Sequence, residues 1–247
     1  MQAALYKCTA CLFHFIPESN AKLVTRMKAP DEHTIKHWLT PRIAKHDTAH
    51  DLQHVMRVVE RARDIGQAEG ADLNILIPAA WLHDLIVLPK NSAERSQAAS
   101  RSAEQAAAWL LSQGTHRATV DAISHCIAAH SFSGEVQART KEAKILQDAD
   151  RLDALGAIGI ARCFVTGASF GAAFYHPEMP ITDGNSRSFN DKHYTLDHFY
   201  TKLYKLPERM HTQTAREIAL QRLSFMKKFE QQLIGEIAGK NDMQHPA

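Results

Sequence analysis

Two histidines and two aspartates, widely spaced along the chain, have side chains of the types that proteins use to hold a metal ion. His54 comes first, His83 and Asp84 are adjacent, and Asp150 follows much later. Two imidazoles and two carboxylates can bind one divalent cation and leave coordination positions open for water. The pattern His … His-Asp … Asp therefore predicts a metal-dependent hydrolase, provided that the fold brings these residues together.

Each half of the pattern also has a purely structural explanation. His50 and His54 are four residues apart on a predicted helix and share one face, so His50 could bind substrate phosphate, support a ligand or simply lie near the helix start. Asp84 follows the apolar run 75–82, where an aspartate is costly unless it is paired or bound to metal. The alternative is that His83 and Asp84 end a helix at the surface.

Three aspartates are crowded into the predicted helix that contains Ile145 and Leu152. Asp148, Asp150 and Asp153 repel one another, so a cation or an arginine is expected nearby. Asp148 and Asp150 point to different sides of a helix, and only one of them should be a metal ligand.

Together with their neighbours, these residues resemble the HD superfamily of metal-dependent phosphohydrolases, especially its small bacterial single-domain members. The resemblance covers residues 31–236 and implies an all-α fold, an HD-domain helical bundle around a metal site. The motifs that carry it are His50-Asp51-x-x-His54-x-x-Arg57-Val58, Glu69-Gly70-Ala71-Asp72, Ala79-Ala80-x-Leu82-His83-Asp84, Asp148-Ala149-Asp150-Arg151-Leu152-Asp153 and Leu196-Asp197-His198-Phe199.

The resemblance implies one divalent ion held by His54, His83, Asp84 and Asp150. Mn²⁺ or Mg²⁺ is expected first, with Fe, Co, Ni or Zn as alternatives. Such an ion lowers the pKa of bound water and neutralises charge on a phosphoryl oxygen.

Some HD hydrolases have a glutamate three residues after the aspartate of the His-Asp pair, where it acts on the attacking water. Val87 occupies that position in this chain. Asp84 and Asp51 are therefore the expected catalytic carboxylates. Asp51 is either the general base or a hydrogen-bond support for a ligand histidine, and hydroxide on the metal could itself replace the base.

The residues that follow the His-Asp pair are candidates for a phosphate pocket. Lysine offers a point charge and arginine a bidentate fork, although the same residues could belong to a solvated loop. The expected substrate-binding residues are His50, Arg57, Lys90, Asn91, Arg95 and His130.

His125 and His130 raise the alternative of a second metal ion. Two-metal HD enzymes have additional histidines between the His-Asp pair and the last aspartate. A separation of five residues places these two about 140° apart on a helix, which argues against both facing one ion. We therefore expect a single ion.

The elements that must position these residues are predicted to be helices. The chain has 247 residues, 45% apolar and 23% charged, and a net charge of +2, which gives no support for nucleic-acid or membrane binding. Helical periodicity dominates, and no segment alternates as a strand. The first predicted helix covers 31–45. The second starts at Thr48, with Asp47 as its cap, and ends at Gly66 and Gly70; the third is capped by Asp72. Further helices are predicted over 93–113, 117–131, 140–164, 196–206 and 212–238.

The first 26 residues differ from the rest, and we expect an N-terminal extension over 1–26 and a single HD-type domain over 27–247, with Met27 as the natural start. Cys8 and Cys11 form one CxxC pair without a second, which favours ordinary reduced thiols and a cytoplasmic protein.

The expected function is phosphohydrolysis of a small phosphorylated molecule, most simply a nucleotide. Nucleoside triphosphate pyrophosphohydrolysis is the first choice, and a 5′-nucleotidase or cyclic phosphodiesterase is the alternative. A non-catalytic, metal-bound nucleotide sensor is the alternative of another class. No nucleic-acid or membrane partner is expected, and homodimerisation is left open.

Overall fold

The computed structural model describes residues 28–43, 51–88, 94–131, 136–181 and 186–239. These residues form α-helices joined by short connections, and no strand occurs among them beyond a bridge between Ala173 and Tyr194. The all-α prediction is therefore confirmed. The helices are α1 (Glu32–Leu39), α2 (Leu52–Glu69), α3 (Leu73–Leu82), α4 (Ala98–Ser112), α5 (Arg117–Ala129), α6 (Lys141–Leu152), α7 (Gly156–Ser169), α8 (Asp197–Thr201) and α9 (Gln213–Ile237).

The start of α2 differs from the predicted one. The predicted cap Asp47 and start Thr48 lie outside the described residues. Within them, Asp51 is the cap, because its Oδ1 accepts a hydrogen bond from the backbone N–H of His54 at 2.8 Å. The helix ends at Glu69, where Gly70 takes the left-handed conformation with φ of 64°.

Helix α3 lies at the centre of the molecule and is buried on nearly all sides. Its cap is Asp72, as predicted, and it packs against α1, α2, α5 and α6. Leu76, Ala79, Ala80 and Leu82 have no exposed surface. Burying a leucine side chain contributes about 2 kcal/mol, so this helix anchors the core from which His83 and Asp84 emerge.

The predicted helix 140–164 is two helices, α6 and α7, with a bend of 69° between them. Asp153 caps the end of α6, and Gly156 begins α7 with φ of 73°, a conformation that favours glycine. The break leaves Asp153 at the corner, with its side chain directed towards the N-terminal end of α2 rather than along a continuous helix.

Other helices are shorter than predicted because their ends tighten into 3₁₀ turns. Residues 40–42 and 95–97 form such turns beside α1 and α4, and 203–205 and 207–209 follow the short α8. Among the described residues, no single helix has both the length and the apolar composition of a membrane span. Helices α6 and α7 reach that measure only when joined across their bend.

Candidate metal centre

Four helices each have one terminus at the same place in the core. Together they bring histidines and aspartates from distant parts of the chain close to one another. His54 lies in the first turn of α2, His83 directly follows α3, and His130 directly follows α5. Asp84 extends beyond α3, and Asp150 lies in the last turn of α6.

The two carboxylates face the imidazole Nε2 atoms of the three histidines. Asp84 Oδ2 is 3.5 Å from Nε2 of both His54 and His83, and Asp84 Oδ1 is 3.4 Å from Nε2 of His130. Asp150 Oδ1 is 3.4 Å from His54 Nε2. Two sets, His54 with His83 and Asp150, and His83 with Asp84 and His130, have ligand atoms within 4.8 Å of one another.

The opposite nitrogen of each ring has a fixed hydrogen-bond partner. His83 Nδ1 lies 2.8 Å from the carbonyl oxygen of Ala80, and His130 Nδ1 lies 2.7 Å from that of Ile127. A carbonyl only accepts, so both Nδ1 atoms carry the proton. In the neutral rings the lone pair is therefore on Nε2, directed at the carboxylates.

These distances fit a divalent cation. Ligands about 2.1 Å from one ion lie about 3.0–3.4 Å apart in octahedral or tetrahedral geometry. His83 Nε2 is buried and makes no hydrogen bond within the described part of the chain. A lone pair facing a carboxylate oxygen is unfavourable unless a positive charge lies between them, so the residues present could hold a metal ion.

The electrostatics of the centre favour a positive charge. Burial lowers the pKa of His83 to about 4, so this ring is neutral at physiological pH. Burial alone would raise the pKa of Asp84, but the neighbouring histidines hold it well below its usual range. Burial would likewise lower the pKa of His54, and hydrogen bonding to Asp150, Asp153 and Asp84 raises it well above its usual range.

Asp153 is a buried carboxylate that supports His54 from behind. Its Oδ2 lies 2.7 Å from His54 Nδ1, and Arg57 donates to both carboxylate oxygens, from Nε to Oδ1 at 2.7 Å and from Nη2 to Oδ2 at 2.9 Å. Arg162 Nη1 donates a further hydrogen bond to Oδ2 at 2.8 Å. The sequence indicated Asp153 only as one of three clustered acids, and Arg162 was missed. The available signal was spacing, because Asp153 lies three residues after Asp150 and Arg57 three after His54.

Asp148 and Asp150 lie on two different sides of α6. Asp148 is fully buried on the other side, where it accepts hydrogen bonds from the backbone N–H groups of His211 and Thr212 at 2.9–3.0 Å. It therefore secures the start of α9, while Asp150 faces the histidines.

The remaining predicted site residues are only partly described. Asp51 caps α2 through the backbone of His54, and none of the described contacts joins its carboxylate to the cluster. His125 Nε2 accepts a hydrogen bond from the backbone of Arg139 at 3.2 Å, which agrees with the expectation that it and His130 face different ways. The residues outside the described part of the chain are His50, Lys90 and Asn91, together with the side chain of Arg95.

Comparison with known proteins places this geometry in a family. Residues 51–155 match the family model of the HD domain. The protein YpgQ of Bacillus subtilis (strain 168) is 34% identical over 209 residues, which are 83% of this chain and 93% of YpgQ.

Solved structures agree. A crystal structure of B. subtilis YpgQ in complex with ADP has a TM-score of 0.64 and 33% identity, covering 85% of this chain and 96% of that one. The crystal structure of an HD-superfamily hydrolase from Bacillus thuringiensis has a TM-score of 0.60 and 32% identity, covering 88% and 97%. Since the family model spans every residue that meets at the centre, and the similarity extends over most of both chains, this protein belongs to the HD superfamily of hydrolases.

Proposed function

We propose that this chain is a divalent-metal-dependent phosphohydrolase whose substrate is a nucleotide. The reaction we favour converts a nucleoside triphosphate into a monophosphate and pyrophosphate. The observation that carries the proposal is the set of imidazole Nε2 atoms lying 3.4–3.5 Å from the oxygens of Asp84 and Asp150. The crystal structure of the relative YpgQ in complex with ADP supports a nucleotide ligand.

The proposed ligands are His54, His83, Asp84 and Asp150. A mixed set of imidazoles and carboxylates suits Mn²⁺ better than Mg²⁺, which prefers oxygen ligands alone. A divalent ion held there would lower the pKa of a bound water and withdraw charge from a phosphoryl oxygen. His130 faces Asp84 from the other side, and it is either a further ligand or a group that binds the substrate.

The carboxylates lie on the open side of the centre and the histidines beneath them. The side chains of Asp150 and Asp84 are 30% and 14% exposed, whereas His54 and His83 are 1% and 0% exposed. A nucleotide would therefore approach over Asp150 and Asp84. Asp84, ionised at neutral pH, can accept a hydrogen bond from the attacking water and orient it towards phosphorus.

Arg57 is placed to contact the substrate at the rim. Its side chain is 36% exposed, and its contacts with Asp153 use Nε and Nη2. Among the contacts described for this residue, Nη1 is left for a phosphoryl oxygen, where a guanidinium stabilises charge that develops during phosphoryl transfer. This geometry supports the substrate-binding role predicted for Arg57.

A phosphate and pyrophosphate release assay tests the proposal. Nucleoside triphosphates, monophosphates and cyclic nucleotides are incubated with Mn²⁺ or Mg²⁺, and products are separated by ion chromatography. We expect pyrophosphate and monophosphate from the triphosphate, at least about 1,000-fold less turnover for Asp84→Ala, and unchanged turnover for Asp64→Ala, an exposed acid on α2.

Other outcomes separate the alternatives. Orthophosphate released from monophosphates indicates a 5′-nucleotidase, and opening of cyclic nucleotides indicates a phosphodiesterase. Metal-dependent nucleotide binding without turnover indicates a sensor. Turnover that persists in Asp84→Ala refutes the proposed centre altogether.

A further inference from the structure

The buried side chain of Gln147 connects three helices beside the metal centre. It lies on α6, three residues before the proposed ligand Asp150, and is 8% exposed. Its Nε2 donates a hydrogen bond to the carbonyl oxygen of Ala129, the last residue of α5, at 3.0 Å. Its Oε1 lies 2.5 Å from Nε2 of His211, just before the start of α9. Both ends of this buried amide are therefore hydrogen-bonded, each to a different helix.

The carbonyl of Ala129 determines the orientation of this amide. A carbonyl oxygen only accepts, so the NH₂ group of Gln147 faces Ala129 and the amide oxygen faces His211. The amide oxygen also only accepts, so Nε2 of His211 carries a proton. The two partners thus select the same orientation, in which the amide donates to the end of α5.

The carbonyl that accepts this hydrogen bond belongs to the peptide group that leads into His130. The last carbonyls of a helix have no partner within the helix, and Gln147 supplies one for Ala129. Because a peptide group is planar, this oxygen and the N–H of His130 move together. That N–H donates to the carbonyl oxygen of Ile127 at 3.3 Å, and the ring Nδ1 of His130 donates to the same oxygen at 2.7 Å. The peptide is therefore held at both its oxygen and its N–H.

His130 depends on this support because it follows a helix end and faces a carboxylate from another helix. Its Nε2 lies 3.4 Å from Oδ1 of Asp84, which extends beyond α3. Helix ends fray, and a shift of the last peptide of α5 would move the ring away from Asp84. The hydrogen bond from Gln147 ties that peptide to α6, the helix that carries Asp150.

We propose that Gln147 is a positioning residue of the metal centre. It fixes the end of α5, and with it the ring of His130, relative to the two ligand carboxylates. It acts through the backbone of Ala129 and is not itself a ligand. This role rests on the proposed function, in which Asp84 binds the metal ion.

Gln147→Met tests this role, because methionine has a similar shape but no group that can donate to a carbonyl. Calorimetric titration should show Mn²⁺ affinity reduced about 3- to 10-fold, less than the 10- to 100-fold typical of a direct hydrogen-bond partner of a ligand. In the metal-free protein, the ring nitrogen NMR signals of His130 should shift, since the ring loses its fixed position against Asp84. Gln147→Leu is a second variant, and circular dichroism checks that each remains folded.

Two matched variants separate positioning from stability. Asp148→Asn alters the next residue, which holds the start of α9 and has no described contact with α5, so it should leave Mn²⁺ affinity and the His130 signals unchanged. His211→Leu removes the other contact of Gln147 but leaves its donation to Ala129. Because this position is exposed, water can bond the amide oxygen, and Mn²⁺ affinity should stay within about two-fold of the wild type.

The positioning role is excluded if folded Gln147→Met and Gln147→Leu keep the His130 signals or the Mn²⁺ affinity of the wild type. It is also excluded if Asp148→Asn or His211→Leu changes both quantities as much, which would assign the effect to packing at the start of α9. A wild-type protein that binds no Mn²⁺ would instead contradict the proposed function, and the His130 signals of the metal-free protein would still decide the role of Gln147.

Discussion

Replacing Asp153 with asparagine tests whether this carboxylate orients His54 or only stabilises the fold. The substitution preserves size but removes the charge that Arg57 and Arg162 contact, and it replaces one acceptor oxygen by an NH₂ donor. That donor faces either an arginine or the proton on His54 Nδ1. The ring can relieve the conflict by moving its proton to Nε2, which then has no lone pair for a metal ion.

The contacts of Asp153 set the expected size of two effects, the loss of metal affinity and the loss of free energy of unfolding. Changing the hydrogen-bond partner of a ligand histidine typically weakens metal binding about 10- to 100-fold, or about 1.4–2.7 kcal/mol. The side chain of Asp153 is only 4% exposed, and breaking a buried ion pair costs about 3–5 kcal/mol. Because asparagine retains one acceptor, we expect a loss of about 2–4 kcal/mol in the free energy of unfolding.

Calorimetric titration with Mn²⁺ and urea unfolding of the metal-free protein measure the two effects separately. Nitrogen NMR of the His54 ring reports where its proton lies. Asp121→Asn is the control, since Asp121 pairs with one arginine, Arg117, but is exposed. If Asp153→Asn lowers stability while Mn²⁺ affinity stays within about two-fold of the wild type, Asp153 does not orient His54, and the reasoning is refuted.

The same variant has a defined pH dependence. Burial alone would raise the pKa of Asp153, but hydrogen bonds from His54 and Arg57 hold it well below its usual range. The folded-state pKa is thus below the unfolded value of about 3.9, so the stabilisation is complete at neutral pH and is lost as pH falls below about 4. The stability difference between wild type and variant should be constant near neutral pH and shrink only in acid.

Three further predictions concern residues that do not face the proposed metal centre. Asp148→Asn should lower the free energy of unfolding by about 1–3 kcal/mol in urea titrations without changing Mn²⁺ affinity, because it only secures the start of α9. Gly156→Ala should lower the melting temperature by an amount equivalent to about 1–2 kcal/mol, because φ is 73° and Arg222 occupies the space; an unchanged melting temperature would contradict this. Cys126, whose thiol pKa burial raises to about 12, should resist iodoacetamide in the folded protein and react in urea, as mapped by mass spectrometry.

The sequence predicted the helical class from local signals, and it predicted the residues at the centre from the resemblance of their motifs to the HD superfamily. Helical periodicity and caps such as Asp72 are visible within a few residues. The alternation of sides on one helix indicated that only one of Asp148 and Asp150 is a ligand, and the resemblance to the HD superfamily selected Asp150. Two aspartates with similar surroundings, Asp47 and Asp51, could each cap α2, and local sequence did not separate them.

What the sequence could not predict depends on contacts between distant segments or on one backbone angle. The contacts of Asp153 with His54 and Arg57 join residues 96–99 positions apart, and the spacing within α2 and within α6 does not show that these two helices meet. The break between α6 and α7 follows from the left-handed conformation of Gly156, inside a segment whose apolar spacing continues without interruption. That break also directs Arg162 to Asp153. Because this boundary between α6 and α7 was not predicted, the sequence did not indicate that Asp153 and Arg162 support His54.

The convergence of helix ends at the centre has a consequence for the order of binding. His83 and His130 follow the C-terminal ends of α3 and α5, and Asp150 lies in the last turn of α6. A helix C-terminus has a partial negative charge of about half an electron, which adds to the two carboxylates. Three C-termini meet here against one N-terminus, that of α2, so the net field of the helices and carboxylates attracts a cation and repels phosphate. If the proposed function holds, a nucleotide should therefore bind weakly to the metal-free protein and strongly only after the ion, so that saturation with metal, rather than nucleotide concentration, would determine when the enzyme turns over.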